Sequence, residues 1–107
     1  PIILALSYPS ASSAASGCIP NGAGNCLDVS TLSRPNNDNP SVTLSLQTQT
    51  DIYESVLVAV NARSWVSGFV SRGYFMPVAL QDKSTSVHGK PAGNVLWYWY
   101  RGFQGIR

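Results

Sequence analysis

Asp51 and Glu54 are the two acidic residues closest together in a 107-residue chain that has only five carboxylates. Paired carboxylates perform general acid–base chemistry when they face each other across a substrate. Three residues apart they do not. At a helix start this spacing is that of a capping box, and on a strand the two side chains point to opposite faces. Capping or turn chemistry is the expectation. His88 is the one histidine and lies in "STSVHGKP", downstream of Asp82 and among serines. No G-x-S-x-G elbow selects a nucleophile there, so His88 is read as a solvated loop residue. Asn36 to Asn39, "NNDN", carries oxygen ligands without EF-hand spacing. One histidine and two cysteines without a C-x-x-C pair do not compose a zinc set. No Walker or Rossmann glycine pattern occurs. The sequence therefore predicts no catalytic set, no metal and no cofactor.

The two cysteines have a different use. Cys18 and Cys26 enclose "IPNGAGN", whose Pro20, Gly22 and Gly24 let the chain turn back on itself. A disulfide closing this small loop is expected. It would contribute about 2 kcal/mol by loop-closure entropy and would place the chain in an oxidising, extracytoplasmic compartment.

The densest chemical feature is "VLWYWYRGFQGIR", Val95 to Arg107, with Trp97, Tyr98, Trp99 and Tyr100 in succession and Arg101 after them. On an extended strand Trp97 and Trp99 share one face, and Leu96, Tyr98 and Tyr100 share the other. Both faces then need cover, from the core, from another chain or from a ligand. Trp and Tyr also stack on sugars and nucleobases, and Arg101 adds a planar charge. Trp97, Trp99, Tyr98, Tyr100, Arg101 and the upstream Trp65 are the candidate binding residues.

The elements that must position these residues read as follows. Residues 1–26 are rich in Ser, Ala, Gly and Pro, with an apolar start that suits an edge strand. Residues 27–32 form a brief element, and 33–41 a loop rich in Asn and Pro. Val42, Leu44 and Leu46 alternate with polar residues, the period of a half-buried strand. Ser55 to Val60, "SVLVAV", reads as a strand buried on both faces, because β-branching disfavours the helix over 52–63 that Asp51 and Glu54 would cap. Trp65 to Val70 is the next strand. Tyr74 to Leu80 follows, at an edge or with a bulge because of Pro77. Residues 81–94 are a polar loop and 95–100 the last strand. Short connections predict a mainly β fold, an antiparallel meander forming a small sandwich or partly open barrel, with room for one short helix. At this length 1–107 reads as a single domain, with 27–107 as its β core.

One stretch resembles a known family. "VAVNARSWVSGFVSRGYF", Val58 to Phe75, is similar to a strand–turn–strand segment of ribosome-inactivating RNA N-glycosidases. Trp65 stands where that family has a stacking Tyr, and Phe103 in "RGFQGI" stands at its second. The resemblance implies that Trp65 and Phe103 meet in one cleft beside a Glu and an Arg. The catalytic Glu and Arg of the family have no matched positions here.

Composition narrows the function classes. Charged residues are 11% of the chain, against roughly 25% in a typical soluble domain. The net charge is +2, and Arg34, Arg63, Arg72, Lys83, Lys90, Arg101 and Arg107 are scattered, so a nucleic-acid partner is not favoured. No apolar run reaches the roughly 18 residues of a membrane span. These features predict a non-enzymatic, secreted or surface-assembly module that binds a protein partner or a glycan through its aromatic-rich face. The alternatives are an RNA N-glycosidase-like toxin or fragment and a structural homo-oligomer subunit.

Overall fold

The computed structural model describes residues 2–21, 23–33, 40, 42–72, 74, 82–103 and 105. Strand β1 is Ile2–Leu6. A long connection follows, with two short 3₁₀ turns at Ala14–Ser16 and Val29–Leu32. Helix α1 is Leu46–Asn61, strand β2 is Val66–Ser71 and helix α2 is Pro91–Phe103. Among the described residues the strands form a two-stranded parallel sheet, pairing Ile3 with Gly68, Leu4 with Phe69, Ala5 with Val70 and Leu6 with Ser71. The expected mainly β fold and antiparallel meander are thus overturned. The order is β1–α1–β2–α2, with helices of 16 and 13 residues against strands of 5 and 6.

Helix α1 replaces the Val-rich strand expected at 55–60. It begins one cap earlier than Asp51 and Glu54 suggest. The Ser45 hydroxyl accepts from the Thr48 amide at 3.1 Å, satisfying one of the free N–H groups of the first turn. Asp51 is then inside the helix, accepting from Gln47 Nε2 one turn earlier at 2.7 Å. Gln49, Tyr53 and Leu57 recur every four residues and are buried, while Val58 is exposed. Burial of that stripe outweighs the modest helix propensity of valine. The strand expected around 42–46 reduces to one antiparallel bridge, Leu44 to Ala11, before the helix cap.

Helix α2 replaces the strand expected at 95–100. Pro91 occupies the first helical position, where its missing N–H costs nothing. Arg101 sits in the last turn, complementing the helix dipole. Gly93, a poor helix former, is required by a close approach. A Cβ there would lie 2.6 Å from the Val87 carbonyl oxygen. The strand expected at 65–70 is present as β2. The strand expected at 74–80, with Pro77, falls outside the described residues apart from Tyr74.

Both helices pack on one face of the sheet and against each other. Leu6, Tyr53, Leu57, Val87, Ala92 and Leu96 are the buried centre, with Leu4, Phe69 and Tyr100 against them. A second cluster of Ala11, Ile19, Leu32 and Val42 lies under the long β1–α1 connection. The Cys18–Cys26 disulfide is formed in that connection, as its spacing predicts.

Leu57→Ala is expected to cost about 2–5 kcal/mol, and Gly93→Ala about 1–3 kcal/mol by forcing α2 off the Val87 carbonyl. Urea denaturation monitored by circular dichroism measures both. Burial also holds the Tyr53 phenol above its ordinary value near 10, despite its hydrogen bonds. The unfolded phenol ionises first, so stability present below pH 10 is lost as pH rises past that point. Tyr53→Phe should flatten this alkaline loss in melts run above pH 9.5 (about half a unit below the ordinary phenol value).

Candidate functional site at the C-terminal ends of the strands

Parallel strands deliver their C-terminal ends to the same edge of the sheet, and ligands of α/β proteins characteristically bind there. Three segments converge on this edge. They are the residues after β1 from Ser7, the residues after β2 at Arg72 and Tyr74, and residues 82–90 leading into α2. The Arg72 amide donates to the Leu6 carbonyl at 2.9 Å, carrying the pairing one residue past β2. The Ser10 amide donates to the Ser84 carbonyl at 3.2 Å, and the Gln49 side chain donates to the Tyr8 carbonyl at 2.8 Å.

At the centre of this edge is a buried ion pair. Lys90 Nζ donates to Asp82 Oδ2 at 3.0 Å, Ser10 Oγ at 3.1 Å and the Ser84 carbonyl at 3.1 Å. The three protons of the ammonium are all used. Ser84 donates its hydroxyl to the Asp82 carboxylate, and Ser10 Oγ donates to the Asp82 carbonyl at 2.6 Å. Burial pulls the Lys90 pKa below that of an ordinary lysine, and the hydrogen bond and charge of Asp82 pull it back up. A serine beside a lysine of lowered pKa has the composition of a nucleophilic dyad. Ser10, however, is completely buried and its proton is committed to a carbonyl. The set is a knot tying three segments together. No sequence signal pointed to it, because Ser10 and Lys90 are eighty positions apart and neither belongs to a motif.

Above the knot, Tyr74 and His88 stack with ring centroids 4.4 Å apart and planes 25° apart. Tyr74 is 66% exposed and presents its ring at the strand-end edge. His88, expected as a solvated loop residue, is one half of this pair.

The sequence-predicted aromatic face is divided by the helix. Successive residues turn about 100°, so Trp97 and Trp99 do not share a side. Trp97 is 60% exposed, with the Arg101 guanidinium 4.4 Å from its ring centroid, one turn along. Tyr98 is also exposed. Trp99 turns toward α1, where its Nε1 donates to Glu54 Oε2 at 2.9 Å. Tyr100 turns toward β2, stacks on Phe69 at 4.9 Å and accepts from the Ser71 amide at 3.2 Å. Burial raises the Tyr100 pKa. Trp65 is exposed in the turn before β2.

The geometry implied by the RNA N-glycosidase resemblance is not met. The first strand of that segment is the end of α1, Phe103 stands near Arg63 at the base of α2, and Glu54 is engaged by Trp99. Trp65 does not line the Phe103 cavity. The other described carboxylates are also engaged: Asp28 caps a 3₁₀ turn through the Ser30 amide, Asp51 accepts from Gln47, and Asp82 pairs with Lys90. Asp38 and the rest of the "NNDN" run lie outside the described residues. Among the described residues no three His, Cys, Asp or Glu side chains gather as a metal site, and no helix is long and apolar enough to cross a membrane.

No protein-family model and no curated protein matches the chain. Two solved structures do. A complex structure of a GH113 β-1,4-mannanase matches 94% of the chain at 27% identity with a TM-score of 0.64. A structure of a GH113 β-1,4-mannanase matches 94% at 26% identity with a TM-score of 0.65. The chain spans 29% of the length of each.

Lys90→Met leaves Asp82 buried without its cation and should cost about 3–5 kcal/mol. The double variant Lys90→Met with Asp82→Leu should regain most of that loss. A double-mutant cycle from urea midpoints measures the coupling.

Proposed function

We propose that this chain recognises a β-1,4-linked mannan-type glycan at the C-terminal edge of its sheet, as a non-catalytic, extracytoplasmic part of a glycan-acting α/β protein. The observation that carries this reading is the likeness of 94% of the chain to two GH113 β-1,4-mannanases. The site follows from the topology, since the edge that gathers ligands in parallel sheets is where the Tyr74–His88 pair is displayed. A flat, exposed ring offers the apolar face of a sugar a stacking surface, and neighbouring hydroxyls and carbonyls supply orientation.

The non-catalytic part rests on the carboxylates. Glycoside hydrolysis uses two of them, facing each other across the scissile bond. The four carboxylates in the described residues cap a turn, pair along α1, hold Trp99 or hold Lys90. The disulfide supports an oxidising compartment.

Calorimetric titration with mannohexaose, beside cellohexaose as a control, tests the reading. The chain should bind the mannan oligomer without cleaving it. Tyr74→Ala should weaken binding about tenfold, a change of roughly 1.4 kcal/mol. Trp65→Ala, at an exposed ring outside the cavity that Tyr74 lines, should leave it unchanged. Loss of binding in Trp97→Ala but not in Tyr74→Ala would move the glycan to the surface of α2, and no binding to mannohexaose would refute the proposal.

A further inference from the structure

Tyr74 is part of the wall of a cavity of about 720 Å³, a volume in the range of small-ligand sites. The cavity meets β2 only at its last residue, Ser71, so it belongs to the strand-end edge. Gly89 and Lys90 line it ahead of α2, and Gly93, Asn94 and Trp97 line it from the helix. Two large rings therefore stand on one concave surface. Both are open to solvent, Tyr74 at 66% and Trp97 at 60%. A single exposed ring needs no explanation, but two that share a cavity form a patch of the kind that meets a ligand.

Helix geometry fixes how Trp97 is presented. Gly93 and Asn94 lie one turn before it and Arg101 one turn after, along the same face of α2. Helical side chains lean toward the N-terminus, which tilts Trp97 over Gly93 and Asn94. Gly93 has no side chain to fill that space, and a Cβ there would meet the Val87 carbonyl oxygen at 2.6 Å. The Arg101 guanidinium stands 4.4 Å from the Trp97 ring centroid and covers the ring from the C-terminal side. The opposite face is left to the cavity.

The polar groups suit a neutral ligand. Among the described lining residues Lys90 carries the charge, and Asp82 neutralises it at 3.0 Å. The exposed Asn94 side chain offers donors and an acceptor to hydroxyl groups. A sugar combines apolar ring faces with a hydroxylated edge, and a chain of sugars presents several such faces in succession.

We infer that Trp97 is a second stacking residue of the glycan site, so that one β-1,4-linked chain crosses the cavity with one sugar on Tyr74 and another on Trp97, and that Arg101 is the positioning residue that holds the Trp97 ring. This rests on the glycan reading above and adds a length requirement to it, since one sugar cannot occupy both rings.

Calorimetric titration of the 107-residue chain with mannobiose and mannohexaose tests it, alongside tryptophan emission. The unmodified chain should bind mannohexaose about tenfold or more tighter than mannobiose. Trp97→Ala should weaken mannohexaose binding about tenfold and bring the two oligomers within about threefold of each other. Trp97→Phe keeps a flat ring, so it should retain most of the affinity while losing the emission shift that mannohexaose induces. Arg101→Leu should weaken binding about threefold, and Arg101→Lys, which keeps a cation over the ring, should restore it. Tyr98→Ala, at an exposed ring next to Trp97 but outside the cavity, should change nothing. Circular dichroism verifies that each variant is folded. Unchanged mannohexaose binding in Trp97→Ala overturns the inference and leaves Tyr74 as the stacking ring of a standing glycan site. Equal losses in Trp97→Ala and Tyr98→Ala overturn it as well. No mannohexaose binding by the unmodified chain refutes the glycan reading and this inference with it.

Discussion

Two parallel strands cannot be joined by a tight turn, because the chain must travel back the length of the sheet before it can pair again. That constraint organises the molecule. Residues 7–45 leave the C-terminal end of β1, α1 makes the return, and β2 begins only five residues after α1 ends. A helix placed there must bury a stripe against the strands, and Gln49, Tyr53 and Leu57 are that stripe. Helix α2 repeats the solution with Ala92 and Leu96. The pairing of β1 with β2 thus decides which residues of both helices are inside.

Parallel pairing also gathers the connections at one end. Each brings backbone groups that need partners once they are covered. Ser10 and Gln49 supply them across separations of 37 to 74 residues, and Lys90 supplies one to the Ser84 carbonyl. A buried ion pair is a poor source of net stability, since desolvation offsets most of the attraction. What it provides here is placement. Lys90 is the residue before Pro91, so its three hydrogen bonds fix where α2 begins relative to the end of β1. Gly93 then lets the first turn of α2 sit against Val87. The position of His88, and through it of Tyr74, follows from the same anchor.

The sequence made some of this legible and hid the rest for identifiable reasons. Ile2–Leu6 and the segment from Val66 show strand patterns because their neighbours are turns and their β-branched residues lie in a sheet. The disulfide was readable from loop composition alone. "SVLVAV" misled because periodicity over six apolar residues does not separate strand from helix. The decisive signal lay upstream, in Ser45 and the spacing of Gln49, Tyr53 and Leu57. "WYWY" misled in the same way. Pro91, with Leu96, Tyr100 and Phe103 at helical spacing, marked the helix, but Gly93 and Asn94 weakened the pattern. Their cost is met by a tertiary contact that no local window contains. The Tyr74–His88 pair and the Lys90 knot were invisible because both are made by chain segments brought together only by the fold.

The four consecutive rings show what that fold does with a local pattern. As a strand they would have formed two equivalent aromatic faces. As a helix they take separate tasks: Trp99 seals α2 to α1, Tyr100 seals it to β2, and Trp97 and Tyr98 look outward. The outward Trp97 still meets the strand-end edge, because it lines one cavity of about 720 Å³ with Tyr74. Tyr74 and His88 stand at the edge, whereas Ile3 and Val70 stand on the flank. An α/β sheet requires this separation. Its flanks are consumed in joining one βα unit to the next, and only the ends of its strands remain free to meet a ligand.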